Sequence, residues 1–286
     1  MKIRLSLLLI AALPLVGFRT VSPEEKAKEI IQRAEGHFSI QEYAELYRYV
    51  RITNLGEVYE GQMLIIFRYQ NNEIQGVFRL IPDDDNEGVT LLSLQKPNQL
   101  PELAFFDHNT DQGGPVSLKD LKTKLGDTDW YFEGIYDDDH NPWYYNKVGT
   151  AYFRGDTVDV IQSRYRDPKL RDAVGYDYRH MLVRQENERP LSIEFYDFAD
   201  QLIYSVEILS NEDFEFRGEQ KSRAKQIQLI DYQTGSTTVL TRIRSNWNPQ
   251  LPDNIFNLEN VEQWNASTDR LVTTKLLRDL PNAHAH

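Results

Sequence analysis

Apolar and polar residues alternate with a period of two over much of the chain, which is the pattern of β-strands with one face turned to a core. Five such segments precede residue 108, each rich in Tyr, Phe, Ile, Leu and Val: 43–53, 60–70, 74–82, 88–95 and 102–107. Short polar turns such as Asn71-Asn72 and Pro97-Asn98 separate them. Connections this short leave no room for crossover helices, so the pattern predicts an antiparallel meander.

The same alternation resumes after residue 142 in seven further segments: 143–153, 157–164, 178–185, 191–197, 202–209, 224–231 and 236–247. Turns such as Thr234-Gly235-Ser236 lie between them. So many consecutive strands must curl to bury their apolar faces. The pattern predicts a mainly β fold: a strongly curved, barrel-like antiparallel sheet covered by a few helices.

Two segments have helical patterns, one near each end of the chain. Residues 24–35 carry acidic side chains in the first turn, and Gly36 follows the last periodic position. The apolar residues of this segment recur on one face: Ala27, Ile30, Ile31 and Ala34. We expect this helix to lie across the sheet and cover it. Residues 253–264 are predicted as a loop, and residues 268–280 as a last short helix.

The stretch 125–139 connects the two blocks of strands. It carries the adjacent rings of Trp130, Tyr131 and Phe132 among carboxylates, and adjacent rings of this size either pack in a core or line an apolar site. Core packing is the preferred interpretation, with ligand contact as the alternative. The stretch ends in a run of Asp residues before His140. A calcium loop needs alternating oxygen ligands and a glycine, so we expect a solvated turn here.

The first residues have the pattern of an export signal. Lys2 and Arg4 precede an apolar run over 5–16, which is too short to cross a bilayer comfortably and is soon followed by polar residues. We predict a secretory signal peptide over 1–20, cleaved between Gly17 and Val21, and a periplasmic mature protein. An uncleaved anchor stays open as the alternative.

Residues 21–286 are predicted to form a single domain. The glycine-rich break at 111–115 is too short for an interdomain linker, and no repeat of fixed period is present. The formal net charge of −12 argues against nucleic acids and against anionic lipid surfaces, since both need a basic face. Cys is absent, so no disulfide holds the fold and no amino-terminal cysteine carries a lipid.

The sequence carries no strong catalytic or metal-binding motif. It lacks a Gly-x-Ser-x-Gly elbow, a His-Glu-x-x-His pair and a phosphate-binding glycine loop. His108, His140 and His180 lie near polar residues, and Glu194 with Asp197 has the residue types of a glycosidase pair. Surface or hydrogen-bonded histidines, and a solvent-facing Glu194, are the preferred interpretations. We therefore expect no enzyme activity, no metal and no cofactor.

An apolar ligand would lie on the concave side of the curved sheet. Alternate residues of neighbouring strands would line this side, and two rings of the connecting stretch would close over it. The predicted lining is Met63, Ile65, Phe67, Leu91, Leu103, Phe105, Trp130 and Phe132.

Three segments together resemble one known family. Residues 127–135 resemble the Gly-Ser/Thr-Asp-Phe-x-Tyr-Glu-Asp-Leu segment of the outer-membrane lipoprotein-sorting-protein family, relatives of the periplasmic lipoprotein carriers LolA and LolB, although Asp127 and Gly134 depart from it. The positions that fit are Thr128, Asp129, Trp130, Phe132, Glu133 and Ile135. Residues 87–92 resemble the family's Lys-Gly-x-x-Leu-Leu strand start, and residues 189–197 its Pro-x-x-x-Glu-x-Tyr-Asp strand.

The resemblance implies a half-open barrel closed by helices, with an apolar cavity for lipid or for the acyl chains of a lipoprotein. It implies a periplasmic carrier or chaperone without catalysis. We expect a monomer, and an inner-membrane transporter is a candidate partner. The alternative is an envelope interaction module that docks on an inner-membrane transporter or sensor and carries no cargo.

Overall fold

A computed structural model describes residues 22–36, 40–83, 87–96, 99, 101–132, 143–249 and 251–264. Thirteen strands form one antiparallel sheet in the described part of the chain. They are β1 (Glu42–Ile52), β2 (Val58–Gln70), β3 (Glu73–Pro82), β4 (Val89–Gln95), β5 (Glu102–Asp107), β6 (Gln112–Pro115), β7 (Trp143–Phe153), β8 (Asp156–Tyr165), β9 (Tyr178–Arg184), β10 (Pro190–Tyr196), β11 (Leu202–Phe216), β12 (Glu219–Asp231) and β13 (Ser236–Asn246). The predicted curved antiparallel sheet with few helices is confirmed.

Within the residues that the structure describes, two α-helices and three short 3-10 helices accompany the sheet. The α-helices are α1 (Pro23–Gly36) and α2 (Pro168–Val174), and the 3-10 helices are Leu118–Asp120, Asp253–Phe256 and Leu258–Gln263. Within the described ranges, no helix combines the length and the apolar character needed to cross a membrane.

The first and the last strand of the chain lie side by side in the middle of the sheet. Its strand order is β6-β5-β4-β3-β2-β1-β13-β12-β11-β10-β9-β8-β7, so β1 pairs with β13 and joins the two blocks of strands. The edge strands β6 and β7 are those that flank the connection between the blocks. The end of the sheet that carries the β12–β13 turn, residues 232–235, is called the anchor end, because the connecting loop is fixed there. The opposite end, with the β11–β12 turn at residues 217–218, is called the arm end, because β11 and β12 extend beyond their neighbours there.

Several elements differ from the sequence predictions. The glycine-rich break contains a four-residue strand, β6, which pairs with β5. Strands β11 and β12 extend past residues 209 and 224, where the prediction placed the hairpin ends. The predicted loop at 253–264 forms two 3-10 helices. The predicted signal peptide, the helix at 268–280, the acidic run after Tyr136 and His140 lie outside the described residues.

Helix α2 was not predicted, although its end signals stand in the sequence. The carboxylate of Asp167 accepts a hydrogen bond from the Lys169 N–H at 2.9 Å, and Pro168 occupies the first turn. Gly175 ends the helix with φ of +80°, a backbone conformation that glycine adopts without steric cost. At seven residues the helix is too short for a clear apolar period, which is why the pattern alone missed it.

Apolar side chains cover both faces of the first block. The inner cluster fills the concave side and includes residues of α1, β2, β4, β5, β7, β8 and β9. The outer cluster packs β1 to β5 against the two 3-10 helices after residue 252, through residues such as Leu64, Leu92, Phe256 and Trp264. Because both faces are covered, β3 and β4 are buried along most of their length instead of at alternate positions.

Helix α1 lies across the concave side and packs its apolar face into the inner cluster. At the anchor end, Arg166 lies 3.4 Å from the carboxylate of Glu24, and at the arm end Arg33 lies 2.6 Å from that of Glu188. These pairs are exposed and add little stability. They fix the direction in which the helix crosses the sheet.

The contribution of His108 to the free energy of unfolding is expected to depend on pH. Its Nε2 lies 2.8 Å from Thr90 Oγ1, and burial, with the nearby charge of Arg79, lowers its pKa from 6.5 to about 4. The lowered pKa means that the unfolded chain binds a proton first as pH falls. We therefore expect the contribution to be complete above pH 6.5 and to be lost as pH falls towards about 4. The urea midpoint of His108→Gln should change less between pH 7 and pH 5 than that of the native protein, and equal changes would contradict this assignment.

Candidate apolar binding site

The structure brings most of the predicted lining residues together on the concave face. Met63, Ile65, Leu91, Leu103 and Phe132 are buried in the inner cluster, and Phe105 and Trp130 pack against it. The rings of Phe105 and Phe132 lie 5.2 Å apart, so the connecting loop does close on the sheet.

Phe67 lies at the rim instead of within this cluster. Its ring stacks on that of Tyr43 at 5.2 Å, and the guanidinium of Arg223 lies 4.2 Å from the Tyr43 ring centre. The register places Tyr43 directly opposite Phe67 at the arm end of β1 and β2. This pair therefore marks the boundary between the apolar interior and the arm end.

The second block of strands supplies a row of aromatic rings that the sequence prediction left out. Trp143 stacks on Tyr165 at 3.7 Å, and Tyr176 packs against Phe195 at 5.0 Å. The row continues from Phe195 to Tyr204 and from there to Tyr131 of the loop. The sequence does contain the pattern that predicts this row, because Trp143, Phe195 and Tyr204 each occupy inward positions of predicted strands.

A buried carboxylate fixes the loop to the sheet at the anchor end. Asp129 is fully buried and accepts hydrogen bonds from Ser236 Oγ at 2.6 Å and Thr238 Oγ1 at 2.9 Å. Lys124 Nζ lies 2.8 Å from the same carboxylate, and Arg51 Nε lies 3.3 Å from it. Two cations and two hydroxyls thus satisfy Asp129, which makes it a structural anchor for the rings that follow it in sequence.

A second carboxylate completes the anchor. Asp231 accepts hydrogen bonds from the Tyr131 hydroxyl at 3.0 Å and from the Thr234 N–H at 3.0 Å. Lys124 Nζ lies 2.5 Å away, so this ammonium bridges Asp129 and Asp231. Burial raises the pKa of Asp231, but Lys124 and the hydrogen bonds outweigh it and hold the pKa below its ordinary value.

Trp130, which packs against the inner cluster, carries a buried polar group. The Nε1–H of Trp130 is buried and has no hydrogen-bond acceptor among the described residues. A buried unsatisfied donor costs about 1–3 kcal/mol, so a ligand oxygen placed here would relieve that cost.

The two carboxylates of the possible glycosidase pair do not converge, although Glu194 and His180 are direct cross-strand partners. Glu194 accepts a hydrogen bond from the Tyr196 hydroxyl at 2.8 Å, while Asp197 accepts from the N–H groups of Ala199 and Gln201 in the next turn. His180 packs against the rings of Tyr178 and Tyr196. In the described part of the chain, no three His, Asp or Glu side chains form a group suited to a metal ion.

The site is therefore an apolar interior under a short helix and an anchored loop. It can bind a ligand by burying apolar surface against aliphatic and aromatic side chains, and it has one indole N–H as a hydrogen-bond donor. In this structure α1 and the aromatic row fill the interior. An apolar chain would bind here by taking the place of side chains that already pack against each other.

This architecture defines the protein as a member of the LolA-like fold class, and solved structures agree. An outer membrane lipoprotein-sorting protein domain from Vibrio parahaemolyticus is 16% identical, with a TM-score of 0.73 and coverage of 84% of this chain and 99% of that one. A DUF1329 family protein from Desulfovibrio piger is 15% identical, with a TM-score of 0.73 and the same coverage. A LolA superfamily protein from Nitrosomonas europaea is 18% identical, with a TM-score of 0.60 and coverage of 81% and 97%.

Residues 75–263 match the model of a family whose members are described as uncharacterized proteins. Since the match spans more than half of the chain, the chain belongs to this family. No curated protein matches the chain.

Asp129→Asn tests the anchor. The substitution removes the charge that compensates Lys124 and Arg51, so we expect a loss of about 3 kcal/mol or more in the free energy of unfolding. Urea unfolding followed by tryptophan fluorescence measures it, with Asp172→Asn on the exposed face of α2 as the matched control. Equal stability of the two variants would show that Asp129 is no anchor.

Proposed function

We propose that the protein is a periplasmic carrier or chaperone that binds a lipid, or the acyl chains of a lipoprotein, in the concave interior and performs no catalysis. The observation that carries this proposal is the inner apolar cluster, which runs without interruption from strands of the first block to strands of the second. The names of the neighbours, an outer membrane lipoprotein-sorting domain and a LolA superfamily protein, support the same class of ligand.

Binding would be driven by burial of hydrocarbon. Each methylene removed from water contributes about 0.8 kcal/mol, so a long acyl chain has enough to offset the loss of packing within the interior. Helix α1 is the element best suited to give way, because two of its four buried residues, Ala27 and Ala34, are small and its ion pairs are exposed.

The indole of Trp130 gives the site a way to orient its ligand. An acyl ester or amide carries a carbonyl oxygen next to the hydrocarbon, and the buried Nε1–H is a donor for such an oxygen. The ligand would then satisfy a donor that the described part of the protein leaves unpaired.

Native mass spectrometry of the protein purified from the periplasm tests the proposal. Co-purified lipid or acylated peptide is the expected result. Repeatedly empty protein together with a captured membrane partner would instead favour the alternative, an envelope interaction module that carries no cargo. Recovery from the periplasmic fraction, with the amino terminus read by mass, tests the predicted export and cleavage in the same preparation.

Phe105→Asp tests the location of the site. The ring of Phe105 packs on Phe132 inside the interior, so a carboxylate there should weaken a fluorescent acyl probe by about ten-fold or more, because burial of an unpaired charge is costly. Ile243→Asp is the matched control, since Ile243 is 46% exposed on β13. Probe titration is compared at equal circular dichroism. The same affinity in Phe105→Asp, Phe67→Asp and the native protein would rule out this interior as the binding site.

A further inference from the structure

Strands β11 and β12 extend beyond their neighbours as a separate arm. Strand β11 pairs with β10 only up to Glu207, and β12 pairs with β13 only from Gln226 onwards. Residues 209–225, which we call the arm, therefore pair only within the β11–β12 hairpin. Two register shifts, on either side of Ser210, bend the arm where it leaves the sheet.

The arm crosses the open end of the concave interior. On one side Asp213 lies 2.9 Å from Arg189 of the β9–β10 turn, and on the other Phe214 stacks on Trp247 at 4.6 Å. In between, Lys221 Nζ donates a hydrogen bond to the carbonyl oxygen of Gly36 at the end of α1. The β9–β10 turn and the end of β13 flank the arm on its two sides, and Gly36 ends the helix that lies on the concave side, so the arm covers this end of the interior.

A buried ion cluster holds the arm down. Glu45 faces the interior of the sheet and is 1% exposed; its carboxylate receives Arg223 of the arm at 2.6 Å and Arg242 of β13 at 2.8 Å. Arg242 also reaches Glu212 of the arm at 2.7 Å. Burial raises the pKa of Glu45, but the two guanidiniums outweigh it and keep it below its ordinary value, so the cluster is charged at neutral pH.

A polar cavity of about 370 Å³ lies where the tip of the arm meets the ends of β1 and β2. Its wall includes Gln41 and Tyr69, which have the same strand phase as the stacked rings Tyr43 and Phe67 at the rim of the interior. Glu42 and Arg68, also in the wall, point to the outer face, where Arg68 packs over the Phe256 ring. The cavity therefore adjoins the apolar interior at the arm end. An amphiphile with its hydrocarbon inside the sheet would have its polar end at this place.

The charges of the cavity favour a phosphate. Arg68 is compensated by Glu42 at 3.0 Å and Asp253 at 2.7 Å. Arg217, at the exposed tip of the arm, lies over the Phe216 ring and has no carboxylate partner among the described residues. The amides of Gln41, Gln70 and Asn248 add donors and acceptors. One uncompensated guanidinium among amide groups suits a phosphate ester.

We propose that this cavity binds the phosphate-bearing head of a phospholipid whose acyl chain lies in the concave interior, with Arg217 as its cation and the arm as a movable wall. The inference rests on the proposed function and adds the class of ligand. Arg217 lies on the arm itself, so binding of the head and closure of the arm are the same event.

Competition against a fluorescent fatty acyl probe tests the head site. A lysophosphatidylethanolamine should displace the probe at a concentration about ten-fold lower than the monoacylglycerol with the same chain, since only the phosphate can form a charge-assisted hydrogen bond with the guanidinium. In Arg217→Asn this preference should disappear while the monoacylglycerol competes as before. Asn suits the position because Arg217 has φ of +53°.

Arg154→Asn is the matched control. Arg154 has φ of +49° in the β7–β8 turn and pairs with Glu207, so the same substitution is made in the same backbone conformation away from the cavity. The head site would be overturned if lysophosphatidylethanolamine and the monoacylglycerol displaced the probe from the native protein at the same concentration. It would also be overturned if their difference persisted in Arg217→Asn. Failure of the probe and both competitors to bind at all would instead refute the proposed function.

A reversible cross-link tests the arm. The chain has no Cys, so Phe214→Cys with Trp247→Cys gives a single pair of thiols where the two rings stack. With bond formation verified by thiol titration, the oxidised protein should release bound lysophosphatidylethanolamine about ten-fold more slowly than the same protein after reduction. Equal release rates in the oxidised and reduced protein would show that the arm is not a movable wall.

Discussion

The inner face of the sheet is apolar across both blocks of strands, and the need to cover this face determines the rest of the structure. A sheet of this width cannot lie flat and hide its hydrocarbon, so it curls, and three elements then cover the opening. Helix α1 lies across the middle, the loop before residue 133 closes the anchor end, and the arm closes the arm end. Helix α1 is attached by its apolar face, whereas the loop and the arm are also held by buried ion pairs.

The attachments at the two ends differ in chemistry. At the anchor end, Asp129 and Asp231 share Lys124, and hydroxyls of the β12–β13 region satisfy the remaining lone pairs. At the arm end, Glu45 binds two arginines, one of which belongs to the arm. Buried ion pairs of this kind add little net stability compared with apolar packing, but they give the covering elements one defined position. The interior is thus closed by groups that specify geometry more than they add free energy.

Local pattern was sufficient for most of the fold. Alternation located twelve of the strands, helical spacing located α1, and the order of short turns gave antiparallel pairing. The pairing of β1 with β13 and the position of α2 could not be obtained in this way, because they depend on contacts between distant residues and on a helix of two turns. The number of consecutive strands predicted the curvature of the sheet, and the resemblance to lipoprotein-sorting proteins implied a half-open barrel.

Strand alternation also predicted part of the site. Met63, Leu91 and Leu103 follow from this alternation. The aromatic row of the second block obeys the same rule, although the predicted lining did not include it. The arm could not be predicted from the sequence, since residues 210–223 carry charged and amide side chains at most positions and resemble a solvated loop. Those polar residues have partners only after the arm folds across the sheet.

The central pairing of the sheet also sets the order in which it can form. Strand β1 is made early, but its partner β13 lies close to 200 residues further along the chain. Until β13 is available, the six consecutive strands β1 to β6 leave β1 as an open edge, and the closure of a loop of this size is slow compared with the pairing of hairpins. Folding to completion therefore requires nearly the whole chain to be present in one compartment, and a chain stopped before residue 236 would expose β1 as an unpaired edge.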